Sequence, residues 1–224
     1  MLQYNLTNFD EQLKQMSGLK WLPWIGQFYE KTKTIILGES QYEDEDDWQD
    51  DNINATRFLI GTGFSEKKWG KPYYNAEKVL LSIDKPTKEQ GSFLWKSVVY
   101  WNLVQRLMSS RKERPNNADF YNGWKLFFAI IDTLQPKPTT CIVLGKSSFG
   151  QLGCFLNNYD TSWNRNVSEF YKAEKIINLS RREQNLKLIF INHPSGSFGF
   201  KYKYWAQLVS DEEPSLQQLL SEMK

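Results

Sequence analysis

Two short strings join residues able to do acid–base or nucleophilic chemistry to a local pattern that would hold them still: Gly38-Glu39-Ser40-Gln41-Tyr42 and Asn192-His193-Pro194-Ser195. Each follows an apolar, largely β-branched run, Thr34-Ile35-Ile36-Leu37 or Leu188-Ile189-Phe190-Ile191. Such runs read as buried strands, and a strand closed by Gly or Pro hands its next side chains to a loop on a rigid scaffold. His193 is the chain's one histidine, and its place between a strand and Pro194 suits loop-borne chemistry better than a core. Asn102 closes a third such run, Val99-Tyr100-Trp101. Ser40 and His193 also fit a serine hydrolase with a strand–turn nucleophile. That turn wants Gly two residues after the serine, and Tyr42 stands there.

The elements that must carry these residues follow the same periodicities. Cys141-Ile142-Val143-Leu144 before Gly145 is another buried strand, and 121–134 has helical spacing that Pro136 and Pro138 terminate. This is β–α–β order. Segment 97–108 fits either a strand or one helical face. Segments 9–19 and 21–29 read as two opening helices, with Pro23 tolerable in a first turn. An edge strand is expected over 174–179, and closing helices over 202–209 and 215–223. The fold class is α/β: a three-layer α/β/α domain over 1–224 with a central four-stranded, mainly parallel sheet. Ligands of such sheets bind beyond the carboxyl ends of the strands, which would gather Gly38, Asn102 and His193 at one end.

Composition bounds the function. The net charge of +2 gives no whole-molecule pull toward a polyanion, so any nucleic-acid surface must be a local patch. Aromatic residues are 15% of the chain, a supply of flat faces for core or for base stacking. Cys141 and Cys154 make neither a disulfide framework nor a metal ligand set. No metal and no cofactor is expected. Residues 1–5 lack a basic segment followed by an apolar run, and no stretch approaches the ~18 apolar residues that cross a bilayer, so a cytoplasmic protein with no membrane partner is expected. The acidic run Glu43-Asp44-Glu45-Asp46-Asp47, continued by Asp50 and Asp51, reads as a loop within an acidic insertion over 43–69. It would repel phosphates unless it swings aside, binds cations or meets a basic partner. Lys67-Lys68, Arg111-Lys112-Arg114 and Arg181-Arg182 read as solvated surface.

Several blocks, in order, resemble the uracil-DNA glycosylase superfamily, most closely the branch first described from thermophiles. Residues 35–42 look like its first motif, a hydrophobic strand followed by Gly-Glu-Ala-Pro-Gly in that branch and Gly-Gln-Asp-Pro-Tyr in the best-known one. Gly70-Lys71-Pro72-Tyr73 is similar to a Gly-x-Pro-Phe block whose aromatic stacks on the flipped base. Val99 to Val104, with Arg114-Pro115 after it, resembles the strand ending in a base-reading Asn. The segment 138–146 resembles the third strand with its Gly-Lys/Arg turn, and His193-Pro194-Ser195 the last motif. Gln41 replaces the motif proline, Ser40 stands at the best-known branch's catalytic Asp, the iron–sulfur cysteines are missing and the acidic insertion has no counterpart.

The resemblance implies an N-glycosyl hydrolase removing uracil or another modified base from DNA, in base-excision repair, as a monomer. Breaking that bond passes through an oxocarbenium-like sugar, which a carboxylate can stabilise while orienting water; the resemblance offers Glu39. The departing base anion needs a donor in a dry pocket, worth ~3–4 kcal/mol by analogy with oxyanion-hole donors; it offers a neutral His193. Ser40, Gln41, Tyr73 and Asn102 would bind the base. Ser195, Ser197, Phe198, Lys201, Lys203 and Lys146 would engage the DNA, Phe198 as the wedge. The alternative is a catalytically degenerate relative that binds nucleic acid or a protein partner.

Overall fold

The structure, a computed structural model, describes residues 3–43, 51–66, 70–165, 176–195 and 200–221. In chain order the elements are α1 (Asp10–Leu13), β1 (Trp24–Ile25), α2 (Tyr29–Thr32), β2 (Thr34–Gly38), β3 (Gln41–Tyr42), α3 (Ala55–Glu66), α4 (Lys71–Leu80), α5 (Lys88–Lys96) and β4 (Val99–Asn102). There follow β5 (Leu107–Met108), α6 (Asn117–Thr133), β6 (Thr140–Leu144), α7 (Phe149–Asn158), β7 (Asn164–Arg165), β8 (Ile176–Arg181), β9 (Gln184–Ile191), α8 (Tyr202–Glu212) and α9 (Ser215–Ser221).

The main sheet runs β1-β4-β2-β6-β9-β8-β7, with β4, β2, β6 and β9 mutually parallel. The expected four-stranded sheet is therefore the parallel centre of a seven-stranded one. Antiparallel β1 extends it on one side, and β8 with β7 on the other. These additions are short or only half-buried, so they lack the continuous apolar run that marks a central strand. The strand expected over 174–179 is β8, inside the sheet rather than at its edge, which β7 takes.

The two helices expected at the start are corrected as well. Of segment 9–19 only α1 is helical, and 21–29 contributes strand β1, Trp24 pairing with Tyr100 and Ile25 with Val99. Trp21, Leu22, Trp24 and Ile25 are all buried, which a two-sided strand position permits and a surface helix with one apolar stripe does not. Gly26 is required there, since a Cβ on it would lie 2.4 Å from the Lys96 carbonyl. Segment 43–69 is not only a loop: α3 fills its second half, while 44–50 and 67–69 lie outside the described residues.

Alternation along the central strands makes two cores. Ile35, Leu37, Trp101, Val143 and Phe190 face α1, α6 and α7. Ile36, Tyr100, Ile142, Leu144 and Ile189 face α3, α4, α5, α8 and α9. From β2 the chain travels one way across the sheet to β4, then turns back to β6 and β9. A right-handed crossover puts connections of opposite direction on opposite faces, which accounts for α3–α5 lying on one side and α6 and α7 on the other. The reversal leaves a crevice between the carboxyl ends of β2 and β6, where ligands of such sheets bind.

One buried pair ties α3 to this frame. Arg57 is 1% exposed, its fork donating to both Asp10 oxygens at 2.8 and 2.6 Å and its Nε to the Pro23 carbonyl at 2.9 Å.

Candidate functional site

The carboxyl ends of the four parallel strands lie side by side and present, in sheet order, Asn102, Gly38-Glu39, Gly145 and, beyond Asn192, His193. Gly38 pairs directly with Asn102, and a Cβ on Gly38 would lie 2.1 Å from Asn102 Oδ1. Glycine there makes room for the amide. Asn102 is 4% exposed. Its Oδ1 accepts from the Tyr100 hydroxyl at 3.0 Å, and its Nδ2 donates to Gln41 Oε1 at 3.3 Å. The Tyr73 and Tyr100 hydroxyls are 3.3 Å apart. Asn102 is thereby held in one amide orientation, with a second N–H and a second lone pair still to offer.

Glu39 and His193 converge on Gly145. A Cβ on Gly145 would lie 3.0 Å from Glu39 Oε2 and 3.8 Å from His193 Cδ2, so both side chains reach within 4 Å of one point in the β2–β6 crevice. Gly145 has φ +122°, a conformation that L side chains resist, and its N–H donates to the Ile191 carbonyl at 2.9 Å. The backbone favours glycine here, and a side chain would also press on the Glu39 carboxylate.

The electrostatics give the two groups different roles. Burial raises the Glu39 pKa, while a hydrogen bond from the Ser147 hydroxyl and the Arg114 charge hold it back. Burial first, then the Arg114 charge, lowers His193 to about 4, so the imidazole is neutral at pH 7. Its Nδ1 accepts from the Ser195 N–H at 3.2 Å. This assigns the proton to Nε2, the ring atom next to the Cδ2 that faces the crevice. The loop is pinned from α4, where Asn75 Nδ2 donates to the Pro194 carbonyl at 2.7 Å.

The remaining sequence candidates divide. Ser40 Oγ is buried and has no hydrogen-bond partner among the described residues, so the Ser40–His193 bond of a serine hydrolase is not formed. Gln41 is 3% exposed and serves Asn102. Tyr73, half-buried in the first turn of α4, packs edge-on against Trp95 and Tyr100 at 5.7 and 5.8 Å. Lys146 Nζ lies 4.5 Å from the Trp205 ring centroid. Ser195, Lys201 and Lys203 are exposed. Ser197 and Phe198 lie outside the described residues.

Sequence reading missed Ser147 and set Arg114 aside as solvated surface. Ser147 follows the Gly145 turn by two residues, a proximity that offered a signal. Arg114 offered none beyond its place in a resembling block.

Beneath the aromatic cluster sits Glu77, 3% exposed, accepting from Trp95 Nε1 at 2.7 Å. Burial raises its pKa from 4.5 to about 7. The folded chain therefore keeps a proton that the unfolded chain loses above pH 4.5. This stabilisation is complete below that value and fades as pH rises through 7, by up to about 3 kcal/mol. His193 acts oppositely, its contribution fading as pH falls from 6.5 toward 4. Denaturant titrations between pH 4.5 and 8 should show Glu77→Gln removing the decline with pH that belongs to Glu77. Equal slopes for parent and variant would contradict it.

Among the described residues no cluster of His, Cys, Asp or Glu is placed to hold a metal, and no helix is long and apolar enough to cross a membrane. Compared with family models and with curated proteins, the chain matches none.

Proposed function

We propose that this chain hydrolyses the N-glycosidic bond of uracil or another modified base in DNA, acting as a cytoplasmic, monomeric base-excision enzyme. The carrying observation is the convergence of Glu39 and the donor side of a neutral His193 on Gly145. A bond held across that point has a carboxylate at its sugar end and an N–H at its base end. As the C1′–N bond breaks, its electron pair leaves with the base, and His193 Nε2–H stabilises the anion at a carbonyl oxygen. Glu39 stabilises the sugar cation and accepts the proton of the water that attacks C1′. Burial first, and after it the Arg114 charge, keep this imidazole neutral, so it acts as a donor without adding a second cation at the leaving group. Asn102, with its spare donor and acceptor, reads the edge of the extruded base.

The Glu39 role is testable without knowing the base. An oligonucleotide carrying a cationic pyrrolidine in place of the sugar should bind at least ~100-fold tighter than one carrying an uncharged tetrahydrofuran, as transition-state mimics do. Glu39→Gln should erase the difference. Equal affinity of the parent for both ligands would overturn the assignment, and tight, charge-independent binding would favour the degenerate binding protein.

A further inference from the structure

Arg57, Arg106 and Arg181 all fork onto carboxylates: Asp10 for the first, Asp119 with Glu113 for the second, Asp132 for the third. Arg114 does not. Among the described residues it makes no ion pair, and its one hydrogen bond is from Nη1 to the Tyr42 hydroxyl at 2.8 Å. A phenol fixes the guanidinium without neutralising it and leaves most of its N–H fork to another acceptor.

The segment holding Arg114 is braced on both sides. Glu113, just before it, accepts from Arg106 at 2.7 Å and from the Ser109 N–H at 2.6 Å. Buried Pro115 follows, and Asn116 then caps α6 in a reciprocal box with Asp119. Tyr42 directly follows Gln41, which holds Asn102 at the strand ends, and the exposed Arg114 fork lies near enough for its charge to act on both Glu39 and His193.

We infer that Arg114 is an anion-binding residue, holding a phosphoester of the ligand at the mouth of the Glu39–His193 pocket. Naming the anion as a phosphoester rests on the nucleic-acid reading above; the open guanidinium does not. Planar bidentate donors match phosphate oxygens, and a phosphate placed there would fix a nucleotide's sugar relative to Glu39.

The single histidine reports on this site with no assignment ambiguity. The Arg114 charge acts on it, and Glu39 reaches the same point at Gly145, so the His193 ring signals of the whole chain should be followed by NMR against pH, with and without inorganic phosphate. In the parent, phosphate should shift the ring signals saturably and raise the titration midpoint. Arg114→Gln should raise the midpoint without phosphate and abolish the phosphate response. Arg114→Lys should keep the midpoint and weaken phosphate binding by about 10-fold, for want of a fork. A phosphate response in Arg114→Gln equal to the parent's, with spectra showing both folded, would overturn the proposal, as would no response in either.

Two competitors identify the source. Displacement of phosphate by an unmodified single-stranded oligonucleotide assigns a phosphodiester, and displacement only by a deoxynucleoside monophosphate assigns a monoester. Phosphate binding that neither relieves means that free phosphate alone is held, which would overturn the ligand role. Phosphate binding without base release leaves this site standing and sinks the glycosylase reading. Base release unchanged in rate and affinity by Arg114→Gln does the reverse.

Discussion

Glu39→Gln and His193→Ala are each expected to slow single-turnover base release by about 100-fold or more while leaving substrate affinity nearly intact. A factor of 100 corresponds to about 2.7 kcal/mol of barrier, the range found when one preorganised donor or charge is removed. Glutamine keeps the shape of Glu39 and its contact with Ser147 but cannot carry the charge that the proposed role sets against the sugar cation. Alanine at 193 removes the Nε2–H and leaves the crevice side of Gly145 open. The parent rate should rise with pH as Glu39 ionises, above the ordinary carboxylate range because burial raises its pKa. That rise should vanish in Glu39→Gln. No loss of rate is expected between pH 6 and 8 from His193, which is neutral throughout. Ser40→Ala should matter least, since its hydroxyl has no partner among the described residues. If both principal variants cleave as fast as the parent, the assigned roles are wrong.

The largest loss of stability is expected at a place remote from this chemistry. Arg57→Ala should cost about 3–5 kcal/mol, because it strands Asp10 and the Pro23 carbonyl without the buried fork that satisfies them. Asp10→Ala should cost a comparable amount by leaving the guanidinium buried and unpaired. Replacing both residues with apolar ones of similar volume should recover most of the loss, since a buried pair is worth little over good apolar packing. Urea unfolding of the four proteins measures this. A single-variant loss below about 1 kcal/mol would show that water replaces the missing partner.

The central strands were legible because strands buried on both faces read as continuous apolar runs. Thr34–Gly38, Thr140–Leu144 and Gln184–Ile191 each contain one, closed by Gly or by Asn-His-Pro. Segment 97–108 stayed ambiguous because α5 ends at Lys96 and β4 begins at Val99, so a helical face drawn through Trp95 and Val99 crosses a real boundary. β1 was misread since its two residues are too few for a period of 2 to show, while the tryptophans around it mimic a helical spacing.

Within the candidate site, the strand-end placement of Glu39 and His193 was legible because each closely follows a strand signature. What tertiary structure adds is their arrangement: Gly145 between them, Ser147 on the carboxylate, and the charge of Arg114, from the loop before α6, acting on both. The locking of Asn102 by Tyr100 and Gln41 depends on strand register and on a missing Cβ at Gly38, neither of which a spacing argument contains.

Base-excision activity is tested most simply by chromatographic detection of free base after the purified parent protein is incubated with oligonucleotides carrying uracil, hypoxanthine or other modified bases. At least one substrate should release its base and leave an abasic site in equal amount, on an intact strand. No free base from any substrate, with the protein folded and binding the oligonucleotides, would contradict it.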